Sequence, residues 1–194
     1  MIVVFVNGML DSFYCDAANA PRPVETVIIR ELIPHIDATY RTIALREGRM
    51  IEGFSMGGFG AARLGFKYPN LFGSISSIDG ALIGLDQIKK RHRAVFERVF
   101  GSDDRFIAES PFTLAEKNAD ALRGRTTIRL AVGPLRPPNA QYHRLLERLE
   151  VEHDYAEFED APHSHSVIYD RLADKNWEFY QKAFSTALIP SVAN

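Results

Sequence analysis

Residues Gly53-Phe54-Ser55-Met56-Gly57 have the form G-x-S-x-G, in which a serine hydroxyl can act as a nucleophile. With Gly and Ser each at about 7% of residues, this pattern arises by chance in roughly 6% of chains of this length, so the five residues alone decide little. Their surroundings decide more. The run Met50–Phe54 reads as a short strand, and the small residues Gly60, Ala61 and Ala62 begin a helix just after the serine. A strand-to-helix turn of this kind is a nucleophile elbow. It holds Ser55 in a strained backbone conformation, and its glycines remove the Cβ clashes that would block it. The backbone N–H of Met56, at the helix start, then points toward a developing oxyanion. The plainer alternative is an ordinary glycine-rich turn.

Several longer strings carry a resemblance. Glu31-Leu32-Ile33-Pro34-His35-Ile36-Asp37 and the stretch Ile51-Glu52-Gly53 through Gly60-Ala61 resemble the putative-esterase branch of the α/β-hydrolases. Lys67-Tyr68-Pro69-Asn70-Leu71-Phe72 and Ser110-Pro111-Phe112-Thr113-Leu114-Ala115 are similar to it as well. That branch includes esterase D-like, feruloyl-esterase-like and mycolyltransferase-like enzymes. The resemblance spans roughly residues 1–185 and is most specific around Ser55. It implies a serine carboxylic-ester hydrolase whose catalytic residues come in the order serine, acid, histidine.

A serine hydroxyl is a weak nucleophile until a base takes its proton. Of six histidines, only His163 and His165 follow the last expected strand in a loop, where this fold places its base. The spacing in Glu159-Asp160-Ala161-Pro162-His163 favours His163, whereas counting back from the closing helix favours His165. The acid is where the chain departs from the branch it resembles. The aspartate there follows the strand equivalent to Thr126–Val132, but here the segment reads Gly133-Pro134-Leu135-Arg136-Pro137-Pro138-Asn139 and holds no carboxylate. Asp79 is the best substitute, because it ends the strand after the nucleophile strand and so lies on the same sheet edge. Some lipases of this fold carry their acid there. Asp160 is the second choice, and a plain Asp-Gly turn is the alternative role for Asp79.

The oxyanion hole needs a second donor besides Met56. Only about 54 residues precede Ser55, enough for one βαβ unit plus a loop, so the usual early strands look trimmed. If a strand at residues 2–6 lies beside the nucleophile strand, the N–H of Gly8 or Met9 can serve as that donor. Phe13, Tyr14, Phe96 and Phe112 are candidates to line an acyl or aryl pocket, although such aromatics are more often core. A metal held by His163 and His165 lacks companion ligands, and neither metal nor cofactor is expected.

The elements that must position these groups alternate strand with helix. The apolar run at 2–6 reads as a buried strand. Pro21 and Pro23 open a helix with Val24, Ile28, Leu32 and Ile36 on one face, and Pro34 should kink it. Strands are expected at Met50–Phe54, Gly73–Ile78, Thr126–Val132 and Asp154–Phe158, and further helices at Ala140–Leu149 and Val167–Phe184. The helical, polar segment at about 81–125 reads as an inserted cap, and 186–194 as a tail. This is an α/β chain: one domain over 1–185, a mostly parallel sheet with helices on both faces, an α/β-hydrolase core lacking its usual first strands.

The composition fits. The chain has 194 residues, 46% of them hydrophobic, and a net charge of −2, which argues against nucleic acid as a partner. The single cysteine, Cys15, excludes an internal disulfide. The apolar start is too short to span a membrane and lacks a signal peptide's basic flank, so a soluble cytoplasmic protein is expected. Lys89, Lys90, Arg91 and Arg93 read as a solvated helix face. The expected activity is hydrolysis of short-chain or aryl esters through an acyl-enzyme. The alternatives are an inactive relative kept as a binding scaffold, or an acyltransferase. A sheet beginning so near Met1 should leave an open edge, which predicts a homodimer.

Overall fold

The computed structural model describes residues 1–185. Four strands, β1 (Met50–Phe54), β2 (Ser74–Ile78), β3 (Thr127–Val132) and β4 (Asp154–Glu157), form one parallel sheet in the order β1-β2-β3-β4. The register aligns Phe54 with Ile78 and Ile78 with Ala131, so the C-terminal ends of the first three strands sit side by side.

Period-two alternation divides the sheet into two unlike faces. Ile51, Ile75, Ile128, Leu130 and Val132 join the larger apolar core. On that face lie α2 (Met56–Lys67), which supplies Phe59, Ala62 and Phe66, and α7 (Arg136–Arg148), which supplies Tyr142, Leu145 and Leu146. The opposite face carries Ile78 and Ala131 toward α8 (His165–Leu172), and a polar cluster toward α9 (Asp174–Phe184). In that cluster Arg129 Nη2 donates to Glu52 (2.7 Å) and Arg129 Nη1 to Asn176 (2.8 Å), while its guanidinium lies 4.2 Å from the Phe179 ring. A buried cation with this many partners ties β1 and β3 to α9.

The N-terminal helix α1 covers 24–39. Its middle turn, Val27–Leu32, is π-helical, and Ile33–Thr39 returns to α geometry. Pro34 has no N–H to give its own turn, and the widened turn ahead of it takes up the mismatch expected as a kink. Between β2 and β3 lie α3 (Leu85–Arg91), α4 (93–100, with a π turn at Phe96–Phe100), α5 (Asp103–Glu109) and α6 (Pro111–Leu122). Ser102 and Ser110 cap α5 and α6 with their hydroxyls, as serine does at helix starts. Lys89 pairs with Asp103 and Arg93 with Glu97 on the exposed surface of this segment.

Three expectations need correction. Residues 2–6 form no strand. Phe5 is 94% exposed, and β1 has no strand on its outer side among the described residues. A β-prone run becomes a strand only when a neighbour takes its backbone hydrogen bonds, and none is beside it. The closing helix is two helices, broken at Ala173, whose φ is +46°. The helix expected from Ala140 begins at Arg136, because Pro137 and Pro138 fit its first turn, where N–H groups have no acceptor anyway. The expected tail at 186–194 lies outside the described residues.

Candidate active site

Ser55 stands between β1 and α2 with φ 55° and ψ −114°, a backbone conformation that costs a non-glycine residue roughly 1–3 kcal/mol. Its surroundings hold it there. Ser55 N–H donates to the Ile78 carbonyl (3.0 Å), and its own carbonyl accepts from Ala81 (2.8 Å) and Phe59 (3.1 Å). The turn is so tight that a Cβ on Gly53 would stand 2.2 Å from the Gly57 carbonyl oxygen, which only glycine avoids. As the first residue of α2, Met56 has an N–H without an intrahelical acceptor, at the positive end of the helix dipole.

Three of the residues singled out from sequence meet here. Ser55 Oγ lies 2.8 Å from His163 Nε2, and His163 Nδ1 lies 2.5 Å from Asp79 Oδ2. An ionised carboxylate only accepts, so Nδ1 carries the proton and Nε2 presents its lone pair to the serine hydroxyl. Asp79 is fully buried at the end of β2 with φ 42°. Its Oδ1 accepts from the N–H groups of Gly133 (2.9 Å) and Leu135 (3.0 Å). The loop that lacks a carboxylate thus holds one from the next strand. Asn139, fully buried, donates to the carbonyls of Gly80 (2.8 Å) and Leu135 (2.7 Å) and ties the two loops together. Sequence reasoning passed over Asn139. Its only signal was a lone amide after two prolines in the segment searched for an acid.

The other candidates are placed elsewhere. His165 opens α8 and stands edge-on to Phe54 (5.9 Å), whereas His163 packs its ring on Phe54 at 4.6 Å. Asp160 is exposed in the turn before His163. Met9 cannot serve as a free oxyanion donor, because its N–H is bonded to Asn7 Oδ1 (2.9 Å). Gly8 is buried, and its carbonyl accepts from the Ser12 hydroxyl. Phe13 and Phe96 do not border the cleft beside Phe112. Phe13 packs edge-on against Phe59 (5.1 Å), and both residues belong to the core. Aromatics this large are held where they bury the most area. Phe112 does border a cleft of about 250 Å³, with Leu82, Leu85, Phe106, Ile107 and Gln141. Among the described residues no cluster of three or more His, Cys, Asp or Glu is arranged to hold a metal ion.

Comparison with known proteins bears on this geometry. The family model described as "Putative esterase" matches residues 11–190. The chain belongs to the putative esterase family. An esterase of Mycobacterium tuberculosis is 41% identical over 83 residues, which are 41% of this chain and 18% of that protein. An acetyl esterase of Caldicellulosiruptor saccharolyticus is 32% identical over 108 residues, 52% of this chain and 41% of that protein. The chain therefore matches under half the length of these curated relatives. A solved ferulic acid esterase superposes with a TM-score of 0.69 at 22% identity, covering 88% of this chain and 64% of that one. That likeness shows a shared α/β-hydrolase fold. Among the described residues no helix is long and apolar enough to cross a membrane.

Proposed function

We propose that this member of the esterase family is a serine carboxylic-ester hydrolase acting on short-chain or aryl esters through an acyl-enzyme. The observation that carries the reading is the hydrogen-bonded series Ser55–His163–Asp79, at 2.8 and 2.5 Å. Ser55 Oγ attacks the ester carbonyl carbon while its proton passes to His163 Nε2. Asp79 holds the imidazole in the accepting tautomer and steadies the imidazolium that forms. The tetrahedral oxyanion takes the Met56 N–H as one donor. Collapse breaks the C–O bond, and His163 returns the proton to the departing alcohol. Water then attacks the acyl-Ser55 ester, with His163 again as base, and the acid is released.

The preference for small acyl or aryl groups rests on the cleft beside Phe112. Its volume suits a compact apolar group, and Leu82 on its wall follows Ala81, whose N–H is bonded to the Ser55 carbonyl. The reading of an inactive scaffold leaned on the missing family acid and the missing early strands; Asp79 against His163 removes the first support, and the sheet still has no strand outside β1 among the described residues. The test is hydrolysis of p-nitrophenyl acetate, with and without alcohol acceptors, by the wild type and Ser55→Ala. Turnover lost in Ser55→Ala supports the reading, and equal rates in the two proteins refute it. Alcohol-derived esters as the main product would make the chain an acyltransferase instead. Pairing of two copies, along the outer edge of β1, which has no partner strand among the described residues, or through α1, belongs to the same proposal. A monomer mass by light scattering at micromolar concentration overturns that part.

A further inference from the structure

Four non-glycine residues between the start of the chain and α1 have left-handed backbones: Met9 (φ 52°), Asp11 (57°), Phe13 (51°) and Tyr14 (57°). Such a concentration is costly and persists only where the surroundings enforce it. The enforcement is visible. Phe13 and Cys15 are sunk in the core on either side of Tyr14. Tyr14 N–H donates to Ser12 Oγ (3.0 Å), and the Tyr14 carbonyl accepts from Arg63 Nη1 (3.0 Å). Arg63 is itself fully buried on α2 and paired with Glu25 and Glu109, which Lys67 also contacts. This ion cluster fixes the backbone of Tyr14 to the helix that begins at the elbow.

The Tyr14 side chain runs along the first turns of that helix. A Cβ on Gly60 would stand 2.5 Å from ring atom Cδ2, and one on Gly8 would stand 2.5 Å from Cζ and 2.7 Å from the phenol oxygen. A Cβ on Gly57 would stand 3.7 Å from the same oxygen. Glycines at 8 and 60 make room for the ring, with its base over Gly60 and its hydroxyl back toward the N-terminus of α2. No protein group hydrogen-bonds the hydroxyl among the described residues. Its closeness to Gly57 puts it at the first turn of α2, whose N–H groups lack intrahelical acceptors and where negative charge is best stabilised.

We infer that the Tyr14 hydroxyl is the second oxyanion donor, acting with the Met56 N–H on the tetrahedral intermediate. This rests on the reading of Ser55 as the nucleophile. It assigns the phenol a catalytic contact with the substrate oxygen in place of the Met9 N–H, which Asn7 occupies. Burial raises the Tyr14 pKa above the ordinary phenol value, so the group stays a donor throughout the neutral and mildly alkaline range. The anchoring by Arg63, Phe13 and Cys15 supplies the preorganisation that makes such a donor effective. Residues 1–7, with no strand to hold them, supply none.

The experiment is Tyr14→Phe, which removes one oxygen with no protein partner and so leaves the fold intact. With p-nitrophenyl acetate, kcat should fall about 100-fold with KM within about threefold, the usual loss for one oxyanion donor. The affinity for a trifluoromethyl ketone, whose adduct with serine carries the same oxyanion, should fall in parallel while the melting temperature stays put. A kcat within about threefold of wild type overturns the assignment, provided Ser55→Ala abolishes turnover. So does a fall in kcat without a matching fall in ketone affinity, or one accompanied by a lower melting temperature, because a structural role predicts those patterns. If Ser55→Ala remains active, the nucleophile reading fails first, and the assignment to Tyr14 fails with it.

Discussion

Replacing Asp79 by asparagine is the most informative perturbation of the relay. The shapes match, so the amide oxygen can keep the bonds from Gly133 and Leu135, and the amide nitrogen falls where Oδ2 now accepts from His163. Two donors cannot face each other at 2.5 Å. The imidazole must move its proton to Nε2, which then points at Ser55 Oγ and can no longer take the serine proton. In an analogous triad that tautomer error costs about 10⁴ in kcat, equivalent to about 5.5 kcal/mol. The cost to the fold is far smaller. Three charge-assisted hydrogen bonds become neutral ones, a loss of about 2 kcal/mol, or about 4–8 °C in melting temperature for a domain of this size. Asp79→Ala differs, because it strands the buried Gly133 N–H at about 1–3 kcal/mol and the partly buried Leu135 N–H as well. Steady-state hydrolysis of p-nitrophenyl acetate and thermal melting of both variants are the assays. An Asp79→Asn enzyme within tenfold of wild type would refute the assignment and turn attention to Asp160.

Other expectations follow from the buried groups. Burial pushes the Glu25 carboxyl up, but Arg63 and the hydrogen bonds from Tyr68, Arg63 and Lys67 outweigh it and leave its pKa below the ordinary value. A lowered carboxyl pKa contributes stability that is complete above the unfolded value, about 4.3, and is lost as pH falls through the folded one. Glu25→Gln should therefore cost up to about 3 kcal/mol at pH 7 and flatten the loss of melting temperature between pH 7 and pH 3; an unchanged acid limb counts against the pairing. Burial, with the Glu109 and Glu25 charges, pushes the Cys15 thiol up to about 12 against the opposing charges of Arg63 and Lys67. It should be inert to a disulfide reagent such as dithiobis-nitrobenzoate in the native state and react once in urea; rapid native labelling would contradict its burial. Gly53→Ala should lose on the order of 3 kcal/mol and the activity together, because its Cβ meets backbone that cannot retreat. Native melting with wild-type turnover would show that the elbow has room.

How much was legible in the chain follows from the range of the forces involved. Local signals held: the elbow at Ser55, the four central strands within a residue or two, and the histidine loop, because turn chemistry and apolar periodicity act over a few residues. The same locality misled at residues 2–6, where strand propensity met no neighbouring strand, and at Phe13 and Phe96 it left pocket and core both open, with core the commoner role and the one they take.

Sequence alone put a serine on a glycine-flanked strand-to-helix turn, and the resemblance to the putative-esterase branch pointed to His163 or His165, in the loop after the last strand, as its partner. Only the tertiary structure decided between His163 and His165 as the partner of Ser55, put Asp79 in reach across two strand ends, and enlisted the Gly133–Leu135 loop to hold it. It also laid Tyr14 along α2 through contacts 49 residues apart. These are matters of a few ångströms between segments distant in the chain. They are fixed by how the sheet registers and by what packs behind it, which no short window of residues encodes.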